Sequence, residues 1–250
     1  MARKFRSRLL AGELLIGTML TLPSPEIAEM MGLVGFDWLF VDGEHGALGT
    51  REMQALAQGA GRDTAVVIRL ESDSNTAVKK ALDIGATGII VPQVNSAEQA
   101  ERAMRRAKYP PLGTRGVGVT RAHGYGLHFA DYVAWANEAT AVIIQVEHVT
   151  AVAAIEEIAR VPGIDAVFVG PYDLSASMGK MGQVEDAEVK SAINRVTEVC
   201  LAADMRLGIF GLSAEAVRPY IDQGYTLITV GMDMRLLGQA AQNLLALLKA

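Results

Sequence analysis

The chain has 250 residues, half of them hydrophobic and 6% aromatic, with a net charge of -5 and a single cysteine. That length accommodates one large core, and a core poor in aromatics is built mostly of Ala, Val, Leu and Ile. The acidic balance disfavours nucleic acid as a partner, and Cys200 alone excludes a disulfide framework or a cysteine metal cluster.

The start, Met1 to Arg8, is basic, but Gly12 and Glu13 break the apolar stretch after it, so it does not read as a secretory signal. No run approaches the roughly 18 apolar residues of a membrane helix. The expectation is a soluble cytoplasmic protein that contacts no membrane.

Apolar, β-branched-rich runs follow at residues 14–20, 38–41, 65–70, 88–91, 141–146, 166–169, 207–210 and 226–230. They are continuous rather than alternating, which predicts strands covered on both faces. Helical stretches fall between them. Ser24-Pro25 predicts an N-cap with proline at the first helical position, and Ser96 to Gln99 fits a capping box. Gly32, Gly85 and Gly224 sit where helices should stop. Eight strands alternating with helices predict one domain over 1–250, an α/β closed (β/α)8 TIM barrel. An open doubly wound sheet is the runner-up, but no glycine-rich dinucleotide loop follows the first strand.

One connection is too long for a plain βα unit. Residues 109–128 are rich in Gly and Pro and resist both helix and strand. Long loops in compact domains are usually functional, so this one is expected near the active site or at a subunit contact. The final stretch, 233–249, predicts a helix with leucines on more than one side. Either it packs on its own barrel or it docks on another subunit.

Three strands run straight into polar side chains. They end in Asp42-Gly43-Glu44-His45, in Gln145-Val146-Glu147, and in Gly170-Pro171-Tyr172-Asp173-Leu174-Ser175. A parallel barrel gathers its catalytic groups at such strand ends. Glu147 and Asp173, on neighbouring strand tops, suit a hard divalent cation: Mg²⁺, Mn²⁺ or Co²⁺ rather than a closed zinc site. The competing explanation is that Glu147 pairs with an arginine and Asp173 caps a turn. Backbone amides at Tyr172 and Asp173 offer an anion seat at a helix start.

His45 has the chemistry of a general base near neutrality; the alternative is an exposed loop histidine. Arg69, ending the third strand, can neutralise a developing oxyanion or simply pair with Asp42 or Glu71. Asp83 stands near a helix C-terminus, which faces away from its own site, so it matters only across a subunit interface. Cys200 reads as buried core.

These residues resemble the metal-dependent (class II) pyruvate aldolases of the 4-hydroxy-2-oxoheptanedioate aldolase family, whose relatives include 2-dehydro-3-deoxyglucarate aldolase. The likeness runs along almost the whole chain. Its specific pieces are Gly35 to Leu39 with Asp42 to His45, Tyr109 to Pro111 with Gly113 to Val117, Gln145 to Glu147, and Val169 to Ser175. The resemblance implies that Glu147 and Asp173 bind the cation, His45 transfers protons and Arg69 stabilises the enolate. It implies that Gln145 and the Tyr172 and Asp173 backbone contact the oxo acid. It also implies that Asp83 arrives from a neighbouring subunit to raise the basicity of the histidine. Asp42 joins the catalytic candidates and Ser175 the substrate-contacting ones. The family forms homohexamers, trimers of dimers that exchange C-terminal helices.

The implied reaction is reversible cleavage of a 4-hydroxy-2-oxo acid to pyruvate and an aldehyde through a metal-bound pyruvate enolate. No lysine stands at a predicted strand end, which argues against an imine route. Alternatives are a related lyase acting on an acyl-CoA, a decarboxylase of oxaloacetate, or a non-catalytic metabolite-binding barrel. The departures from the family fall at Gly17 to Thr21, at His148 and at Phe210 to Ser213, positions expected on the aldehyde side of the pocket.

Overall fold

The computed structural model describes residues 4–249, so Met1, Ala2 and Arg3 of the basic start, and Ala250, lie outside the described residues. Eight parallel strands close in sequence order: β1 (Leu15–Leu20), β2 (Trp38–Asp42), β3 (Ala65–Arg69), β4 (Gly88–Val91), β5 (Ala141–Val146), β6 (Ala166–Val169), β7 (Arg206–Gly211) and β8 (Leu227–Met232). The TIM barrel is therefore observed, and the open sheet is excluded by the β8–β1 pairing. The helices are α1 (Phe5–Leu10), α2 (Pro25–Val34), α3 (Thr50–Gly59), α4 (Asn75–Asp83), α5 (Ala97–Ala107), α6 (Phe129–Ala139), α7 (Val149–Ala153), α8 (Ile155–Ile158), α9 (Pro171–Ser177), α10 (Ala187–Ala202), α11 (Ala214–Asp222) and α12 (Asp233–Lys249). No described helix is long and apolar enough to cross a membrane.

The period of two in a strand sorts the side chains. Leu39, Val41, Val66 and Ile68 face the helices, in the outer core. Trp38 and Phe40, Ala65 and Val67, Ala141 and Ile143, Ala166 and Phe168 fill the barrel. Small residues make room for the large ones: a Cβ on Gly17 would lie 2.7 Å from the Trp38 ring, and one on Gly208 2.5 Å from Phe168. Phe5 and Leu9 of α1 join this inner cluster and close the barrel at its N-terminal end. The same parity, carried one step further, aims Asp42, Arg69, Gln145 and Glu147 inward at the opposite end.

The caps follow the local chemistry. Ser24, Ser74, Ser96 and Ser213 each accept a backbone N–H at a helix start. The capping box is shifted by one residue, because Gln99 reaches back to the Asn95 N–H, not that of Ser96. Gly85 and Gly224 terminate helices with positive φ as expected, but Gly32 does not. It lies inside α2, where a Cβ would come 2.7 Å from Thr64 Oγ1, and the helix ends instead at Gly35, with φ of 104°.

Two expectations left open by the sequence are narrowed. The 109–128 loop joins α5 to α6, which leads into β5, so it lies at the N-terminal end of the barrel, away from this chain's own strand tops; of its two expected places, the subunit contact is the one left. Arg121 anchors it to the Ile84 and Ala57 carbonyls at the ends of α4 and α3. The last helix packs on its own barrel only at its start: Asp233 is its one buried residue, while Leu247 and Leu248 are each 79% exposed.

Candidate active site

The turn after β2 is organised by Asp42. Its Oδ1 accepts the Glu44 and His45 backbone N–H groups, both at 3.1 Å. Its two oxygens also take the Arg69 fork, Nε at 3.0 Å and Nη2 at 2.8 Å. Burial alone would raise the Asp42 carboxyl, but the guanidinium and the two amides hold it below the usual range. Arg69 is raised in turn: burial opposes its charge, and Asp42 and Glu44 more than offset that. Its Nε lies 3.3 Å from Glu44 as well. Among the described residues Nη1 has no partner. Arg69 is thus paired with Asp42, one of the two partners open to it. Its expected partner Glu71 is not engaged.

The segment after β4 supplies the next contact. Gln93, with φ of 53°, donates its backbone N–H to Glu147 Oε1 at 2.8 Å. The Gln145 Nε2 donates to the other Glu147 oxygen. Gly170 fits close against this pair, since a Cβ there would lie 2.9 Å from both Gln145 Nε2 and Glu147 Oε2. Glu147 is buried and is pushed up to about 7, chiefly by burial and further by the charges of Glu44 and Asp173, with Arg69 and the Gln93 amide opposing. Glu44 is raised by burial too.

The remaining candidates fall into place around this centre. Asp173 lies in the first turn of α9, close enough for its charge to act on both Glu44 and Glu147. The His45 side chain is 64% exposed, 3.9 Å from Glu44. Tyr172 is exposed beside Asp173, and Leu174 N–H already bonds to the Gly170 carbonyl. Ser175 is buried; its hydroxyl donates to the Tyr172 carbonyl at 2.6 Å and accepts the Gly182 N–H at 3.1 Å. It fastens the turn more than it faces the mouth. Asp83 is not brought to these residues. It is held at the other end of the barrel by Arg115, at 2.9 Å.

Two contributors escaped the sequence. Glu44 was passed over in favour of its neighbour His45, although it stands in the same strand-end run. Gln93 acts through its backbone, which leaves no side-chain signal; only its place after β4 marks it.

The donor set suits a divalent cation. Four carboxylates, Asp42, Glu44, Glu147 and Asp173, share one guanidinium, and Asp42 consumes most of it. The Gln145 Oε1 is buried with no hydrogen-bond partner. Among the described residues no group of three or more His, Cys, Asp and Glu could hold a metal. A cation here would rest on two carboxylates and leave its other positions for water and substrate, which is the open arrangement catalysis needs.

A model of the HpcH/HpaI aldolase/citrate lyase family matches residues 16–240. The chain belongs to that family. It is 40% identical to a 2-dehydro-3,6-dideoxy-6-sulfogluconate aldolase of Pseudomonas putida, over 94% of this chain and 92% of that one. It is also 40% identical to a hydroxypyruvate/pyruvate aldolase of Delftia acidovorans, over 96% and 90% of the two chains. The crystal structure of an HpcH/HpaI aldolase/citrate lyase family protein from Burkholderia cenocepacia superimposes with a TM-score of 0.95 at 35% identity, covering 99% of this chain and 100% of that one. The chain is accordingly an enzyme of the pyruvate-aldolase kind, as its strand ends suggested.

Proposed function

We propose that this enzyme cleaves a 4-hydroxy-2-oxo acid reversibly to pyruvate and an aldehyde, with a divalent cation held by Glu147 and Asp173. The observation that carries this reading is the crowding of the buried Glu147 with the half-buried Glu44 and Asp173 at one strand-end cluster, with Glu147 pushed up to about 7. An all-oxygen donor set selects Mg²⁺, Mn²⁺ or Co²⁺. Bound there, the cation would polarise the 2-keto group and offset the charge that develops on it.

The chain's own residues do the rest. The Gln93 N–H and Gln145 orient Glu147. The backbone N–H groups of Tyr172 and Asp173 have no intrahelical partner at the start of α9 and seat the substrate carboxylate. His45, on the turn fixed by Asp42, removes the proton of the 4-hydroxyl. The C3–C4 bond then breaks, the aldehyde leaves, and its electron pair forms the enolate of pyruvate. Arg69 turns its unpartnered Nη1 to the enolate oxygen, and protonation at C3 completes the reaction.

In this reading Asp83 reaches His45 of an adjacent subunit from the far end of its own barrel. The exposed leucines of α12 are covered by exchange within a dimer, and three dimers make the hexamer. Apolar area of that kind on a helix is characteristic of a protein interface.

The test is pyruvate release from a panel of 4-hydroxy-2-oxo acids. Release should vanish with EDTA and return with Mg²⁺, Mn²⁺ or Co²⁺. Release indifferent to chelator would overturn the cation site.

A further inference from the structure

The mouth of the barrel is divided. From β2 round to β6 it is lined by Asp42, Glu44, Arg69, Gln145, Glu147 and Asp173. From β7 through β8 to β1 the inward positions are Phe210, Met232 and Met19, which pack on the inner core. Phe210 and Met232 are half-buried at the open end, and Met19 is buried just beneath.

A break in the β-ladder builds this wall. The β1–β8 register pairs Gly17 with Thr229, then shifts so that Met19 pairs with Met232. The extra β8 residue is absorbed at Gly231, with φ of 67°, a conformation suited to glycine. Without the bulge, Gly231 would face inward and Met232 outward. The bulge turns Met232 into the mouth, opposite Met19.

The same side carries no cation at its strand ends. Residues 21–24 after β1 and 212–213 after β7 contain no charged side chain. Asp233, directly after β8, is spent on Thr21 and Leu22, accepting their N–H groups at 2.9 and 2.8 Å and the Thr21 hydroxyl at 2.7 Å. The first basic residue beyond β8 is Arg235, exposed on α12. Among the described residues the Thr229 hydroxyl, a neutral group buried under the wall, has no hydrogen-bond partner.

We infer that Met19, Phe210 and Met232 select the aldehyde fragment, and that it is uncharged and aliphatic rather than a semialdehyde acid or a sulfonate. This rests on the aldolase reading, in which the polar half holds the oxo acid and leaves the β7–β8–β1 half for the aldehyde. A second anionic group would sit on an apolar wall, across from four carboxylates and the one guanidinium that Asp42 already holds. Buried charge without a partner is disfavoured. The inference separates this chain from its sulfogluconate aldolase relative, whose name places an anion at the far end of its substrate.

The experiment runs in the synthetic direction with pyruvate and Mn²⁺. It compares succinic semialdehyde with 4-methylpentanal, in which an isopropyl group replaces the carboxylate at equal shape. Exchange of pyruvate methyl protons in D₂O is followed alongside, because it reports enolate formation without any aldehyde. The expected kcat/KM is higher for 4-methylpentanal by about tenfold or more. Met232→Lys should shift that ratio at least about tenfold toward succinic semialdehyde, and Phe210→Arg serves if the first variant does not fold. Equal or better use of succinic semialdehyde by the unmodified enzyme, with exchange intact, would overturn the inference and leave the aldolase reading standing. Loss of exchange itself would overturn both.

Discussion

The two ends of this barrel bury polar groups in opposite ways. At the N-terminal end Arg115 is fully buried, but Asp83 accepts its Nη2 at 2.9 Å and the Tyr132 hydroxyl its Nη1 at 3.1 Å. Its guanidinium lies 4.5 Å from the Tyr109 ring centroid, and His123 is tied to Tyr109 and Thr120. Charge meets charge and rings cover most of what remains, though the Arg115 Nε is buried with no hydrogen-bond partner. At the C-terminal end Glu44, Glu147 and Asp173 crowd together, Glu147 is pushed up to about 7, and the Gln145 side-chain Oε1 is left without a partner. Native structures pair their buried polar groups unless function needs otherwise. The first cluster is charge-paired within the chain; the second holds more carboxylate than its one guanidinium offsets.

Substitutions should separate the two ends. The largest effect is expected from Glu147→Gln or Asp173→Asn, which should lower kcat/KM for pyruvate formation about a thousandfold. The chelator-treated variants should be no less stable than the parent, since each loses one of several crowded carboxylates that share a guanidinium held mainly by Asp42. Arg115→Met should behave in the reverse sense, with stability lost and Mn²⁺ binding at Glu147 and Asp173 unchanged.

Next in size is a pH effect. The Glu147 carboxyl is raised from 4.5 to about 7 in the folded chain, so the folded state holds its proton more tightly than the unfolded one. Its contribution to stability is complete below about 4.5 and disappears as pH rises to about 7, on the order of 3 kcal/mol. Urea unfolding of chelator-treated protein should therefore show stability falling across that window, and Glu147→Gln should flatten the slope.

Smaller effects follow. Arg69→Lys keeps the charge but loses the fork to Asp42 and the spare donor, and should cost about a hundredfold in kcat/KM. Arg115→Met should cost about 2 kcal/mol of stability by leaving Asp83 and Tyr132 without their donor. A double-mutant cycle with Asp83→Asn should recover part of that.

Much of this was legible in the chain. Continuous apolar runs located all eight strands, because a strand buried on both faces needs no alternation. Period-two parity then carries Trp38 and Phe40 to Asp42, and Ala141 and Ile143 to Gln145 and Glu147, so the inward carboxylates follow from counting. What failed had no periodic signal. Gln93 contributes an N–H, and every residue but proline has one. Gly32 resembles a helix stop, and only the tertiary neighbour Thr64 explains it. For the 109–128 loop composition left two places open, the active site or a subunit contact, whereas its position between α5 and the α6–β5 unit fixes it at the strand starts and removes the first. The apolar α12 was recognised, yet no property of one chain says what covers it.

The most direct test of the central claim is Mn²⁺ titration into chelator-treated protein, read by electron paramagnetic resonance, with Glu147→Gln and Asp173→Asn alongside. The account predicts one tightly bound Mn²⁺ per chain, weakened at least about a hundredfold by either substitution. Mn²⁺ binding that survives both substitutions unchanged would contradict it.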